Sequence, residues 1–212
     1  MDALGMLEVY SFTEAVCAAD AAAKAANIQV IAFDRNRPVR EDVPAPLVME
    51  VKVTGRVSAV RAAVDAAEQH ARQQGKFLVS HVIANPAGGI EGMAYLLDIN
   101  RDRYNKTLPK SFFQMPPAAQ HAGSAIGLLE VQGLVASIEG LDTMVKTADV
   151  RLIHTEKRLG GRLVTLVITG SVSAVGAAVA AGKDAACALG KVYGHAVIAN
   201  PHAEICKFFD FD

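Results

Sequence analysis

Neither sign of charge dominates this sequence. Its 21 basic and 22 acidic residues leave a formal net charge of -1, so the whole molecule offers no field that would draw nucleic acid or an anionic membrane. Cysteine is scarce. Cys17, Cys187 and Cys206 are an odd set with no close pair, which argues against a disulfide framework and against a zinc site; they read as small apolar packing residues. No apolar run reaches the roughly 18–20 residues of a membrane span. The Met1 region lacks the basic stretch and apolar core of a signal peptide, so the expected compartment is the cytoplasm. Catalytic signatures are missing too. His70, His81, His121, His154, His195 and His202 show no H-x-x-x-H spacing, and Gly88–Gly89 and Gly160–Gly161 complete neither a dinucleotide nor a phosphate loop. Without a nucleophile, acid–base pair or metal constellation, the residues point away from an enzyme and imply no cofactor and no metal.

What the sequence does have is apolar content and a repeat. Of 212 residues, 51% are hydrophobic and 20% charged, a globular balance sized for one large or two small domains. ALGMLEV at Ala3–Val9 returns as AIGLLEV at Ala125–Val131, a spacing of 122 residues, which also places Asp20 on Asp142 and Lys24 on Lys146. VTGRVSAV from Val53 returns as ITGSVSAV from Ile168, and VIANP at Val82–Pro86 returns at Val197–Pro201, both at a spacing of 115. The first copy therefore carries 7 extra residues, and RNRPVREDVPAP, rich in proline and charge, places them in a lengthened loop. Asp98–Ser124 has no counterpart. The expected organisation is a first domain over 1–98, a linker over 99–122 and a second domain over 123–212.

Each copy reads as strand, helix, strand, loop, strand, helix, strand. Ala3–Val9 fits a strand; Ser11 or Thr13, with Glu14 behind it, starts a helix that runs to about Ala26. Ile138, Leu141 and Val145 keep helical spacing in the second copy. Ile28–Phe33 is a second strand. Leu47–Val53 alternates, with Glu50 and Lys52 on the polar side. Ser58 is placed as an N-cap before the stripe Val60, Val64, Ala67 and Ala71, Gly75 as the residue after that helix, and Leu78–Ala84 as the last strand. The fold class is α+β: two tandem ferredoxin-like β-α-β-β-α-β domains. The alanine-rich helices bury little area per side chain, so part of the stability is expected to come from assembly.

The pattern A-[LI]-G-x-L-E, then a D-x-x-x-K helix, then T-G-x-V-S-A-V, then V-I-A-N-P, found twice in fixed order, resembles the bacterial microcompartment shell domain. The resemblance implies the tandem-domain class in its non-permuted strand order. It implies a homotrimer with pseudohexameric outline that tiles a shell facet beside hexameric and pentameric shell proteins, around encapsulated enzymes in the cytoplasm. A pore on the symmetry axis would pass small metabolites. Lys24 and Lys146 match the family's edge lysine. Asn85 and Asn200 stand where many members have arginine, and His202 follows Pro201 as in the family whereas Ala87 replaces it in the first copy; these are the lattice-edge candidates. The pore-loop candidates are Arg35, Arg37, Arg40, Glu41 and Asp42 in the lengthened loop and Arg158, Leu159, Gly160, Gly161 and Arg162 in the short one. Their excess of cations suggests an opening that favours anions. Neither loop has the cysteine with which some tandem members hold an iron–sulfur cluster. The alternative reading is a duplicated ferredoxin-like regulator that binds a small molecule at a domain interface, a fold-level analogy.

Overall fold

The computed structural model describes residues 2–36, 47–88, 90, 124–156 and 159–209. The first unit runs β1 (Ala3–Tyr10), α1 (Phe12–Ala25), β2 (Gln29–Asn36), β3 (Val48–Gly55), α2 (Val57–Gln73), β4 (Phe77–Ile83). The second runs β5 (Ala125–Gln132), α3 (Leu134–Thr147), β6 (Val150–Glu156), β7 (Leu163–Gly170), α4 (Val172–Cys187), β8 (Val192–Ile198), and a short α5 (Ala203–Cys206) follows. The sheets are ordered β2-β3-β1-β4 and β6-β7-β5-β8, and their strand pairs are antiparallel. This is the expected mixed α+β unit, present twice. The expected linker, 99–122, lies outside the described residues.

The glycine matched between the copies has a packing cause. A Cβ on Gly5 would lie 2.6 Å from Val64 Cγ2, and one on Gly127 would lie 2.7 Å from Val175 Cγ1. Each central strand therefore lets the second helix of its unit down onto the sheet. The stripe Val60, Val64, Ala67 and Ala71 faces this contact and is buried. Alanines fill much of the buried face of α1, as expected of a core built from small side chains.

Three expectations need correction. Arg56, not Ser58, is the residue before α2, and its side chain makes no cap. The matched position in the second copy is Ser171, which does cap, accepting from the Ala174 N–H at 3.2 Å. Ser58 lies one residue inside the helix. Lys52 does not point to solvent; it is buried and ion-paired with Asp34 on β2, with Glu50 at 3.6 Å. Cys206 packs in the interior and Cys17 is half-buried, but Cys187, at the end of α4, is exposed, so the packing reading fails there. The spacing of Ile138, Leu141 and Val145 falls on α3 as expected; Ile138 and Val145 are exposed, and Ala136, Gly140 and Met144 make the core contact.

The two units share one interior. Phe33 of β2 stacks edge-on against Phe208 at 4.8 Å, and Ile126, Leu128, Leu159, Ile205 and Phe209 join the cluster formed by the first unit. The segment after β8 thus straps the second unit to the edge of the first. Glu204 Oε2 accepts the Val30 N–H at 2.8 Å, beside the register shift in β2.

Candidate functional site

Three regions could carry function: the loop end of each unit, the joint between the units, and the matched positions on the outer edge. At the loop end of the second unit, Gly160 and Gly161 have φ of 91° and 59°, and Arg162 has 62°. Three consecutive left-handed residues favour glycine at the first two places and turn the chain tightly into β7. The turn is pinned on both sides: Leu163 N–H donates to Gly160 O at 2.9 Å, Gly133 N–H to Arg162 O at 2.9 Å, and Gln132 Nε2 to Gly161 O at 3.0 Å. Gly161 and Arg162 are exposed. Leu159 is not; it is fully buried in the shared interior and anchors the loop. Arg35 is half-buried near the end of β2. Arg37, Arg40, Glu41, Asp42 and Arg158 lie outside the described residues.

The joint is built at the start of α1. Ser11 (φ 87°) precedes the helix and caps it, its Oγ accepting the Glu14 N–H at 3.2 Å. The next free amide is taken across the joint: Thr13 N–H donates to Glu130 Oε2 of β5 at 3.0 Å. Glu130 is fully enclosed, and burial pushes its carboxyl above the usual range, partly offset by that hydrogen bond. A helix N-terminus suits a carboxylate, so a buried acid on one unit caps the helix of the other. Close packing completes the contact. A Cβ on Gly194 of β8 would lie 2.9 Å from Thr13 Cβ, so glycine is what lets α1 reach the strand. Lys76 Nζ bridges to Tyr193 O at 3.1 Å, and Asp20 Oδ1 accepts the His202 N–H at 2.7 Å.

A cavity of about 520 Å³ opens beside this joint, lined by Glu14, Cys17, Asp20, His70, Lys76 and His195 among others. Burial pushes Glu14 up to about 7, opposed by Lys76; His70 Nε2 lies 3.5 Å from its Oε1. Burial lowers the imidazoles of His70 and His195. It raises Cys17 to about 12 and Cys206 to about 11, so both stay thiols at neutral pH. Among the described residues, no group of three or more His, Cys, Asp and Glu is arranged to hold a metal ion, and no helix is long and apolar enough to cross a membrane. No local pattern announces this cavity, because its residues come from both copies.

The edge candidates occupy matched places. Lys24 and Lys146 each sit in the last turn of the first helix of their unit and bond the acid four residues back, Asp20 and Asp142, at 2.5 Å. Lys146 is the more exposed. Asn85 and Asn200 are exposed beyond the last strands, each before a buried proline. His202 has an internal task that sequence reasoning missed: it precedes α5, and its Nδ1 accepts the Glu204 N–H at 3.2 Å.

Comparison with known proteins accounts for both copies. A family model described as BMC domain matches residues 3–86 and 125–201. The chain is similar to the bacterial microcompartment shell protein PduA of Citrobacter freundii, 46% identical over 83 residues, 39% of this chain and 88% of that one. It is similar to the carboxysome shell protein CsoS1 of Prochlorococcus marinus (strain MIT 9313), 46% identical over 90 residues, 42% of this chain and 85% of that one. Each relative is thus about the length of one unit. A crystal structure of a microcompartment protein from Desulfitobacterium hafniense DCB aligns over 98% of this chain and 99% of that one, with 24% identity and a TM-score of 0.37.

Proposed function

The chain belongs to the BMC domain family, and on that premise we propose that it is a structural shell subunit of a bacterial microcompartment in the cytoplasm rather than an enzyme. The observation that carries the reading is the double match: two whole BMC domains in one chain, already joined by a buried helix cap. Relatives named as shell proteins have the length of one such unit. The chain is of the tandem class, in the standard strand order, and three copies supply the six units of a pseudohexamer. These trimers lie in a facet with hexameric and pentameric shell proteins, enclosing enzymes. The test is native mass at micromolar concentration. Three chains per particle support the proposal; a monomer at every concentration overturns the trimer.

In such a ring the loops before β3 and β7 line an opening through which small metabolites pass. Arg35, Arg37, Arg40, Arg158 and Arg162 outnumber Glu41 and Asp42 there, so the opening favours anions. Neutralising Arg37 and Arg158 is expected to weaken anion passage through reconstituted pores; unchanged passage would refute the preference.

One observation favours a second reading, metabolite sensing: the cavity of about 520 Å³ at the joint is of ligand size. Calorimetry against amino acids and nucleotides separates the two, since a shell subunit shows no tight binding.

A further inference from the structure

The joint inside the chain is a template for the contact between chains. At the repeat spacings, Glu8 corresponds to Glu130, Ser11 to Gly133, Thr13 to Val135, and Val79 to Gly194. Within one chain only α1 and β8 find each other. The matching surfaces, α3 and β4, stay uncovered: Leu134 is 64% exposed, Val135 72%, Ile138 60% and Val79 49%. Leu134, Val135 and Ile138 make an exposed apolar face on α3 of the kind that marks an interface, and Val79 is exposed separately on β4. The polar half of the template is open as well. Gly133 gives α3 no side-chain cap, although the first-turn amides of a helix lack partners within it. Glu8, half-buried on β1, stands beside Val79 on β4, as Glu130 stands beside Gly194. The two surfaces lie on one chain and do not pack on each other; a head-to-tail arrangement of copies would bring one against the other.

We infer that α3 of one copy docks on β4 of the next, with Val135 against Val79 and the Glu8 carboxylate receiving the first-turn amides of α3, and that this seam is wider and more apolar than the joint inside the chain. This rests on the trimer proposed above and names its contact residues.

The width follows from the template. The intrachain joint closes until a Cβ at position 194 would be 2.9 Å from Thr13 Cβ. Position 79 has a Cβ and two further methyl groups, and position 135 is a valine of the same shape as threonine. Carbon atoms pack at about 3.5–4.0 Å, so the Cβ alone sets the seam between copies off by about 0.6–1.1 Å at this point, and the methyl groups add to that. The Ser11 side chain has no counterpart at Gly133 and the Thr13 hydroxyl gives way to a methyl group at Val135, so the gap fills with apolar contact. For the same reason α1 does not fit β4: Val79 would meet Thr13 and Ser11 where only glycine passes. The units therefore alternate around the ring. The threefold character resides in the seams as well as in the unequal loops.

The test is a cysteine pair, Val79→Cys with Val135→Cys, placed in a Cys187→Ala background because Cys187 is exposed. Disulfide formation needs Cβ atoms about 3.5–4.5 Å apart. After copper–phenanthroline oxidation in air, the double variant is expected to run on a non-reducing gel as covalent species of up to three chains, while each single variant runs as one chain. Val135→Glu is expected to shift the native mass from three chains to one with the circular dichroism spectrum retained. A native trimer whose double variant does not cross-link would overturn this seam and leave the trimer standing. A wild type that is monomeric at every concentration would overturn the trimer itself.

Discussion

At the residue scale the most unusual group is Glu14. It is buried beside the joint, and its carboxyl is raised from 4.5 to about 7. Below the lower value the group is protonated in folded and unfolded chains alike, and its contribution to stability is complete. Between the two values the unfolded chain ionises first, so stability falls as pH rises through about 7. The loss is about 2–3 kcal/mol. His70 acts in the opposite sense: its lowered value gives stability that is lost as pH falls. Glu14→Gln is therefore expected to shrink the decline in melting temperature between pH 5 and 7, leaving the smaller decline of the other raised carboxyls, Glu130 and Glu8, set against the opposite slope of His70. A variant that keeps the wild-type decline would show that another group is responsible.

At the scale of elements, helix-to-sheet approach sets stability. Gly127→Ala would push a methyl group against Val175, Val179 and Ile168, all within 2.8 Å of the added carbon. The cost is about 1–3 kcal/mol of overpacking, read as a lower urea midpoint. Gly176, inside α4 with nothing within 4 Å, is the contrast: Gly176→Ala should stabilise by roughly 0.5–1 kcal/mol. Equal effects from the two variants would contradict the close-packing account. This scale is also where sequence reading worked best. The elements were legible because A-[LI]-G-x-L-E and V-I-A-N-P repeat and because Val60, Val64, Ala67 and Ala71 keep the period of one helix. It failed where partners lie far along the chain. Nothing near Lys52 announces Asp34, and nothing near Thr13 announces Glu130, 117 residues away. On α3 the spacing placed the helix, but period reports an apolar face and not whether its own chain covers it.

At the scale of the molecule, one chain holds two units, one finished joint and one pair of open surfaces. The repeat made the tandem architecture legible from sequence; the differences within it, Thr13 against Val135 and Gly194 against Val79, acquire meaning only once the built joint shows what they touch. Of the site candidates, Leu159 serves as an anchor rather than a loop surface, and His202 is tied into the joint, while Lys24, Lys146, Asn85 and Asn200 remain on the outside in matched places. A lysine stem can lie across a seam while its ammonium reaches carbonyls of a neighbour, which gives Lys24 and Lys146 their proposed role in tiling. Whether this protein tiles is decided by electron microscopy of the concentrated protein, alone and with a hexameric shell protein. Flat sheets or tubes are expected for the wild type, and dispersed trimers without sheets for Lys24→Glu combined with Lys146→Glu. A wild type that stays dispersed under both conditions would overturn the proposed tiling role.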